Sequence, residues 1–348
     1  MVVVLEGDRL VGIAPFHLER ARGRRSVYKP FAAGFTHRVG PLAEPGRECE
    51  IAVAVADALA WSTPVPTAVA LEAIDAEEPW PELIATTWPG RPARVVDWRR
   101  APAPVVEMDG DHEAWLAARS SNFRQQMRRG RRNLEKLGGS FRAVTDAAEA
   151  PTVIHDMMEL HHRRWSHMGG SGLGASTEPA VVRAAKDMLG DGRMRLWILE
   201  AEGRLVCGHA LISAGGETLH WNSGFDEAWA SLKPSVITLW LAVQDCFARG
   251  DRRLDLSGGD ASYKIRFATG DAPLRWCSIV PREPRSFPML AGLCIGRVAE
   301  RAGRRLAEVL GPRVRARGRA LGVRVASFRA ATKPPQEDSA PGQSEPRQ

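Results

Sequence analysis

The sequence predicts a mixed α/β (α+β) fold of two units followed by a basic extension. Three observations carry that prediction. The chain has 348 residues, more than one domain of ordinary size holds. Its apolar residues recur at helical spacing between residues 112 and 189, then alternate from residue 194 onward. Pro-rich stretches at 79–92 and 101–104 separate that run from a shorter N-terminal part.

In order, residues 2–5 and 9–16 read as strands around the Gly7-Asp8 turn, residues 49–61 as a helix, and residues 69–74 as a strand. Residues 112–137 read as one helical segment, with Phe123, Met127, Leu134 and Leu137 on a stripe. A second helix covers 151–167, a flexible Gly-rich loop 169–178, and a further helix 180–189. Residues 194–200 and 204–213 form a hairpin over Glu202-Gly203, and 217–223 a third strand. A helix starts near Pro234 and stops at Gly250; residues 252–257 are another strand.

The net charge of +7 is concentrated in one place. Residues 285–330 hold eleven arginines against Glu300 and Glu308, a surplus of nine, which leaves the remainder at −2. The basic balance therefore marks an appendage, suited to touch anionic lipid, and no specific nucleic acid is expected as a partner. Residues 331–348, rich in Pro, Gln, Ser and Glu, read as disordered. No apolar run approaches membrane-spanning length, and the first residues lack the pattern of a signal peptide. The five cysteines fit no Cys-x-x-Cys spacing and read as small buried hydrophobes of a cytoplasmic protein, peripheral at most to the inner face of a membrane. His161, His162 and His167 lack a metal-ligand pattern, so no metal is expected.

The segment from Phe225 to Ser235 runs from a strand through a loop into a helix start. That arrangement binds anions, because the first N–H groups of a helix have no internal partner. Lys233 adds a cation there and Ser235 a hydroxyl; the plainer reading is an ordinary turn with a solvated lysine.

Six short motifs then appear in order: Asn122-Phe123-Arg124 with Arg128, Arg129 and Arg132; His161-His162 with Trp165; Gly224-Phe225-Asp226; Ser231 with Pro234-Ser235; Gly250 with Asp255-Leu256; and Gly259-Asp260 with Tyr263-Lys264. With them, residues 105–282 resemble the second domain of GNAT-superfamily acetyltransferases of the CelD/BcsL type, and more distantly the FemABX peptidyltransferases. Gly12-Ile13-Ala14-Pro15 is similar to the family's degenerate first domain. The resemblance implies tandem GNAT-like domains, a truncated first one over 1–105 and an acetyltransferase domain over 106–282; the residues beyond read as a basic amphipathic helical extension over 283–330 and a disordered tail over 331–348. The implied reaction is acetyl transfer from acetyl-CoA to an amine or hydroxyl of an envelope sugar or polysaccharide precursor. The alternatives are aminoacyl transfer to a peptidoglycan precursor and a non-catalytic binding module.

Candidate residues follow from that chemistry, which needs positioning, proton removal and thiolate protonation. Asp226, Tyr263 and His220 are the catalytic candidates. Asp226 is alternatively a helix-capping residue, and Tyr263 a packed aromatic. His220 is preferred to His209 as a proton acceptor, because His209 shares a face with Cys207 and Leu211. Lys233, Pro234, Ser235 and Val236 are expected to meet the donor. Arg128, His161, Trp165, Asp260 and Lys264 are expected to meet the acceptor.

Overall fold

The computed structural model describes residues 1–20, 25–166, 173, 177–259 and 261–295. In its first half, β1 (Val2–Glu6) and β2 (Arg9–Ala14) make the expected hairpin, with Gly7 at φ 61° in the turn. β3 (Phe16–Arg20) pairs with β4 (Ser26–Pro30), and β5 (Leu42–Ala43) pairs with β2. α1 (Glu48–Ala60) buries Ile51, Val55 and Leu59, one face at helical spacing. β6 (Ala68–Asp75) is almost wholly buried.

The Pro-rich stretch at 79–92 holds a helix, α2 (Trp80–Thr86), and is not only a break. Pro79 and Pro81 fall at the helix start, where a missing N–H costs no hydrogen bond, and Pro89 and Pro92 lie beyond its end. β7 (Arg94–Ala101) and β8 (Pro104–Glu107) follow.

The helical segment expected over 112–137 is two helices, α3 (His112–Ala117) and α4 (Ser121–Lys136). Each has its own cap: Asp111 accepts from the Ala114 N–H, and Ser120 from the Phe123 N–H. After β9 (Ser140–Val144) come α5 (Ala150–Ser166), α6 (Glu178–Gly190), β10 (Met194–Ala201), β11 (Arg204–Ala214) and β12 (Glu217–Phe225). A 3-10 turn, Glu227–Leu232, leads into α7 (Pro234–Arg249), which ends on Gly250 at φ 73°. β13 (Arg253–Asp255), α8 (Ser262–Phe267), β14 (Gly270–Asp271) and β15 (Leu274–Val280) close the chain of elements.

The main sheet runs β14-β8-β13-β12-β11-β10-β9, with β12 and β13 parallel and its other pairs antiparallel. α5 and α6 cover one face and α7 the other, giving the layered α/β architecture that the sequence predicts. A second sheet of the first half runs β3-β4-β6-β15-β7. Its member β15 comes from far along the chain, so the polypeptide crosses back and stitches the halves together.

Residues 287–295 are helical, and Met289, Leu290 and Leu293 pack on Val96 and Val280. The rest of the expected basic extension and the tail lie outside the described residues. Among the described residues no helix is long and apolar enough to cross a membrane. Cys207, Cys246 and Cys277 are buried as expected, whereas Cys49 and Cys294 are exposed, because each sits on the outer side of a surface helix.

Candidate functional site

The site grows from one break in the main sheet. β12 and β13 pair only at Glu217↔Arg253, Thr218↔Leu254 and Leu219↔Asp255. Beyond that, β12 continues along β11 to Phe225 while β13 ends, and the sheet opens into a wedge. At the opening β12 has a bulge. Ala210 pairs with Asn222 and Leu211 with His220, so Trp221 is the extra residue. Without the extra residue, every side chain beyond it would swap faces. The bulge turns His220 toward the α7 side while Asn222 and Gly224 meet α5.

His220 is therefore the first β12 residue past the parallel pairs, and it has a partner. Its Nε2 lies 2.8 Å from Nδ1 of His209, whose Nε2 lies 3.3 Å from the Ser235 hydroxyl on the first turn of α7. Both rings are buried, at 1% and 5% exposure. Burial pulls His209 down to about 4; burial, then the neighbouring His209 and Lys264, hold His220 well below its ordinary range. Both imidazoles are neutral near pH 7. His209, read from sequence as a satisfied core residue, is satisfied by this chain of contacts.

On the other side of the α7 start lies a cleft of about 490 Å³. Asn122, Gln125, Arg129 and Asn133 of α4 line one wall, Ser231 to Lys233 another, and Arg266 of α8 the rim. Lys233 takes the left-handed conformation, φ 56° and ψ 49°, which turns the chain sharply into the helix. Among the donor candidates, Lys233 lines the cleft, Pro234 is buried as the first helical residue, Ser235 reaches His209, and Val236 packs on the core. Arg128 does not line the cleft; its neighbour Arg129 does. The cleft stripe on α4 runs 122, 125, 126, 129, 130, 133, and residue 128 falls off that face. The helical period groups these residues on one face, but only the packing of Ser231 to Lys233 opposite α4 makes that face the cleft wall.

α5 supplies the opposite wall of β12. Gly224 allows this: a Cβ there would sit 2.3 Å from the Met157 carbonyl oxygen and 2.9 Å from the His161 nitrogen. His161 Nδ1 contacts the Ser223 carbonyl at 3.1 Å, and its ring is tilted against Trp165 at 5.9 Å. His161 is buried, and burial lowers its basicity; Trp165 is 39% exposed. Arg164 lies over the Phe225 ring at 4.8 Å. Half-buried Tyr263, on α8, joins the same apolar cluster as Phe225 and Val236. Burial raises its phenol above the ordinary range, so it keeps its proton at neutral pH.

Two candidates hold structure. Asp226 caps the 3-10 turn, accepting the Ala228 N–H at 3.0 Å. Lys264 donates to the Ser257 and Gly258 carbonyls at 3.1 and 2.9 Å, which fixes the turn after β13. Asp260 lies outside the described residues.

The first half borders the wedge, a contribution that no local pattern in the sequence announces. Trp221 donates its indole N–H to the Phe35 carbonyl at 2.7 Å. His37 Nδ1 lies 3.2 Å from the Ser257 hydroxyl, and Arg38 donates to Asp255 at 2.6 Å. Such pairings span more than 180 positions, and no local pattern announces them.

No curated protein sequence matches this chain. Among solved structures it is similar to FemX, with a TM-score of 0.58 at 8% identity, over 82% of this chain and 88% of that one. It is also similar to the C-terminal domain of a putative lysylphosphatidylglycerol synthetase from Agrobacterium fabrum, with a TM-score of 0.50 at 12% identity, over 80% and 87% of the two chains. Likeness at such low identity establishes the fold. Residues 121–265, which hold α4, α5, the bulged β12, α7 and Tyr263, match the family model of the acetyltransferase (GNAT) domain, so the chain carries a GNAT-type acyltransferase domain.

Proposed function

We propose that this protein transfers an acyl group, acetyl foremost, from acyl-CoA to an amine or hydroxyl of an envelope sugar or polysaccharide precursor, in the manner of the CelD/BcsL type. The observation that supports this reading is the wedge. Parallel pairing stops after Leu219↔Asp255, beside a helix start whose cleft gathers Lys233, Arg129 and Arg266. The cations and helix N-terminus fit a pyrophosphate, and the open strand edge fits an extended amide-bearing arm.

A bound donor supplies an activated acyl carbon on sulfur. That carbon exchanges sulfur for the acceptor atom, the acceptor loses one proton, and the thiolate gains one. Tyr263, protonated at neutral pH and without a hydrogen-bond partner among the described residues, is proposed to give the second proton. His220, at the wedge apex, is proposed to take the first. His161 and Trp165 form the proposed acceptor wall. Titration calorimetry with acetyl-CoA tests the donor: saturable binding is expected, and none at millimolar concentration would remove the reading.

The second reading is aminoacyl transfer to a peptidoglycan precursor, as the FemABX resemblance implies. It is favoured by the fold match to FemX across both halves of the chain. A charged aminoacyl-tRNA that competes with acetyl-CoA in a labelled-transfer assay would favour it. The arginines of 285–330 are proposed to hold the protein at anionic lipid, each contributing about 1 kcal/mol. Flotation with anionic vesicles should weaken when Arg313, Arg315, Arg317 and Arg319 are changed to Gln.

A further inference from the structure

We infer that Ser235, His209 and His220 form a proton relay running from the wedge apex to the first turn of α7. This rests on the acyl-transfer reading and assigns two positioning residues to it, His209 and Ser235.

The geometry is continuous: Ser235 Oγ to His209 Nε2 at 3.3 Å, and His209 Nδ1 to His220 Nε2 at 2.8 Å. Two neutral imidazoles so joined carry one N–H each, and the chain has two polarities. In one, His220 Nε2–H donates to His209 Nδ1 and His209 Nε2–H donates to Ser235, leaving His220 Nδ1 as a free acceptor. In the other every proton has moved one place. The serine hydroxyl donates to His209, His209 Nδ1–H donates to His220, and His220 carries its proton on Nδ1.

The atoms balance. A proton enters at His220 Nδ1, the shared protons shift along, and Ser235 releases its original hydroxyl proton to water at the α7 start. No imidazolium persists at any stage. That resolves a difficulty: groups so buried are poor bases singly, because a lone charge there is costly to desolvate. Passing the proton on avoids holding it. His220 Nδ1 has no hydrogen-bond partner among the described residues, and the ring keeps 5% of its surface at the apex. The plainer alternative is a pair of histidines that merely satisfy each other. It leaves unexplained why the bulge at Trp221 presents His220 where the strands part, and why the chain of contacts ends on the helix start beside the cationic cleft.

The test uses the full chain with three readouts. Calorimetry with acetyl-CoA measures donor binding. Single-turnover thiol release, with water as acceptor, is followed in mixtures of H2O and D2O. Nitrogen-15 spectra of the histidine rings, without donor, report the relay directly. For the wild type, a bowed dependence on deuterium fraction is expected, along with a strongly downfield proton shared by His209 and His220. Ser235→Ala should slow release about tenfold at saturating donor, straighten the dependence and shift the His209 Nε2 resonance; Ser235→Thr should restore all three. His220→Gln should slow release on the order of 100-fold. A wild type that binds acetyl-CoA and releases thiol with a straight dependence, or a Ser235→Ala protein at wild-type rate, overturns the relay and leaves the acyl-transfer reading standing. A wild type that does not bind acetyl-CoA overturns both.

Discussion

Arg38, on a loop of the first half, donates its Nε–H to Asp255 at 2.6 Å, and Asp255 is the residue at which β13 stops pairing with β12. The same guanidinium meets Asp75 and the Ala272 carbonyl. One residue thus ties the lip of the wedge to the sheet of the other half. Breaking a shielded pair strands the remaining carboxylate, so Arg38→Met should cost about 3 kcal/mol. Urea unfolding checks this, and a loss below about 1 kcal/mol would show that the pair is replaceable.

Gly224→Ala should destabilise by at least about 2 kcal/mol, since the added carbon meets backbone atoms of α5 that no side-chain rotation can clear. Thermal unfolding is the measurement. A wild-type midpoint would mean that α5 shifts freely against β12.

Asp226→Asn should keep both stability and turnover, because an asparagine caps the 3-10 turn as well as an aspartate does. Asp226→Ala should lose about 1 kcal/mol of stability. If the Asn variant instead lost turnover a hundredfold at full stability, the carboxylate would be acting as a base.

Stability should fall on mild acidification. His209 and His220 have folded basicities depressed from 6.5, to about 4 for His209 and well below the ordinary range for its neighbour. Below pH 6.5 the unfolded chain takes up protons that the folded chain refuses, so their stabilisation is complete above 6.5 and drains as the pH falls toward 4. Each ring contributes a slope of up to about 1.4 kcal/mol per pH unit, and half-buried His37 and buried His112 and His161 act in the same direction. Urea midpoints for the wild type and the double variant His209→Gln, His220→Gln should show a shallower slope in the variant. Parallel slopes would contradict the assignment.

Lys233→Ala and Arg129→Ala should each weaken acetyl-CoA binding about five- to tenfold, more at low salt than at high, because both are exposed cations. Calorimetry at two ionic strengths reads this. Arg128→Ala, off the cleft stripe, serves as the control and should bind like wild type.

The sequence by itself determined the element order around the site. Pro234 and Gly250 bracket α7, the alternation from residue 194 marks β10 to β12, and the motifs run from Asn122 to Lys264, inside the span 121–265 that matches the family model. These are local signals, set by backbone restriction and by which face of an element is apolar. Only the tertiary structure decided the rest. It added the bulge at Trp221, joined His209 to Ser235, chose Arg129 over Arg128, brought Phe35 and Arg38 to the wedge, and sent β15 into the other sheet. Each depends on which distant segments pack together. A hydrogen bond between residues two hundred positions apart leaves no trace in the local periodicity of either.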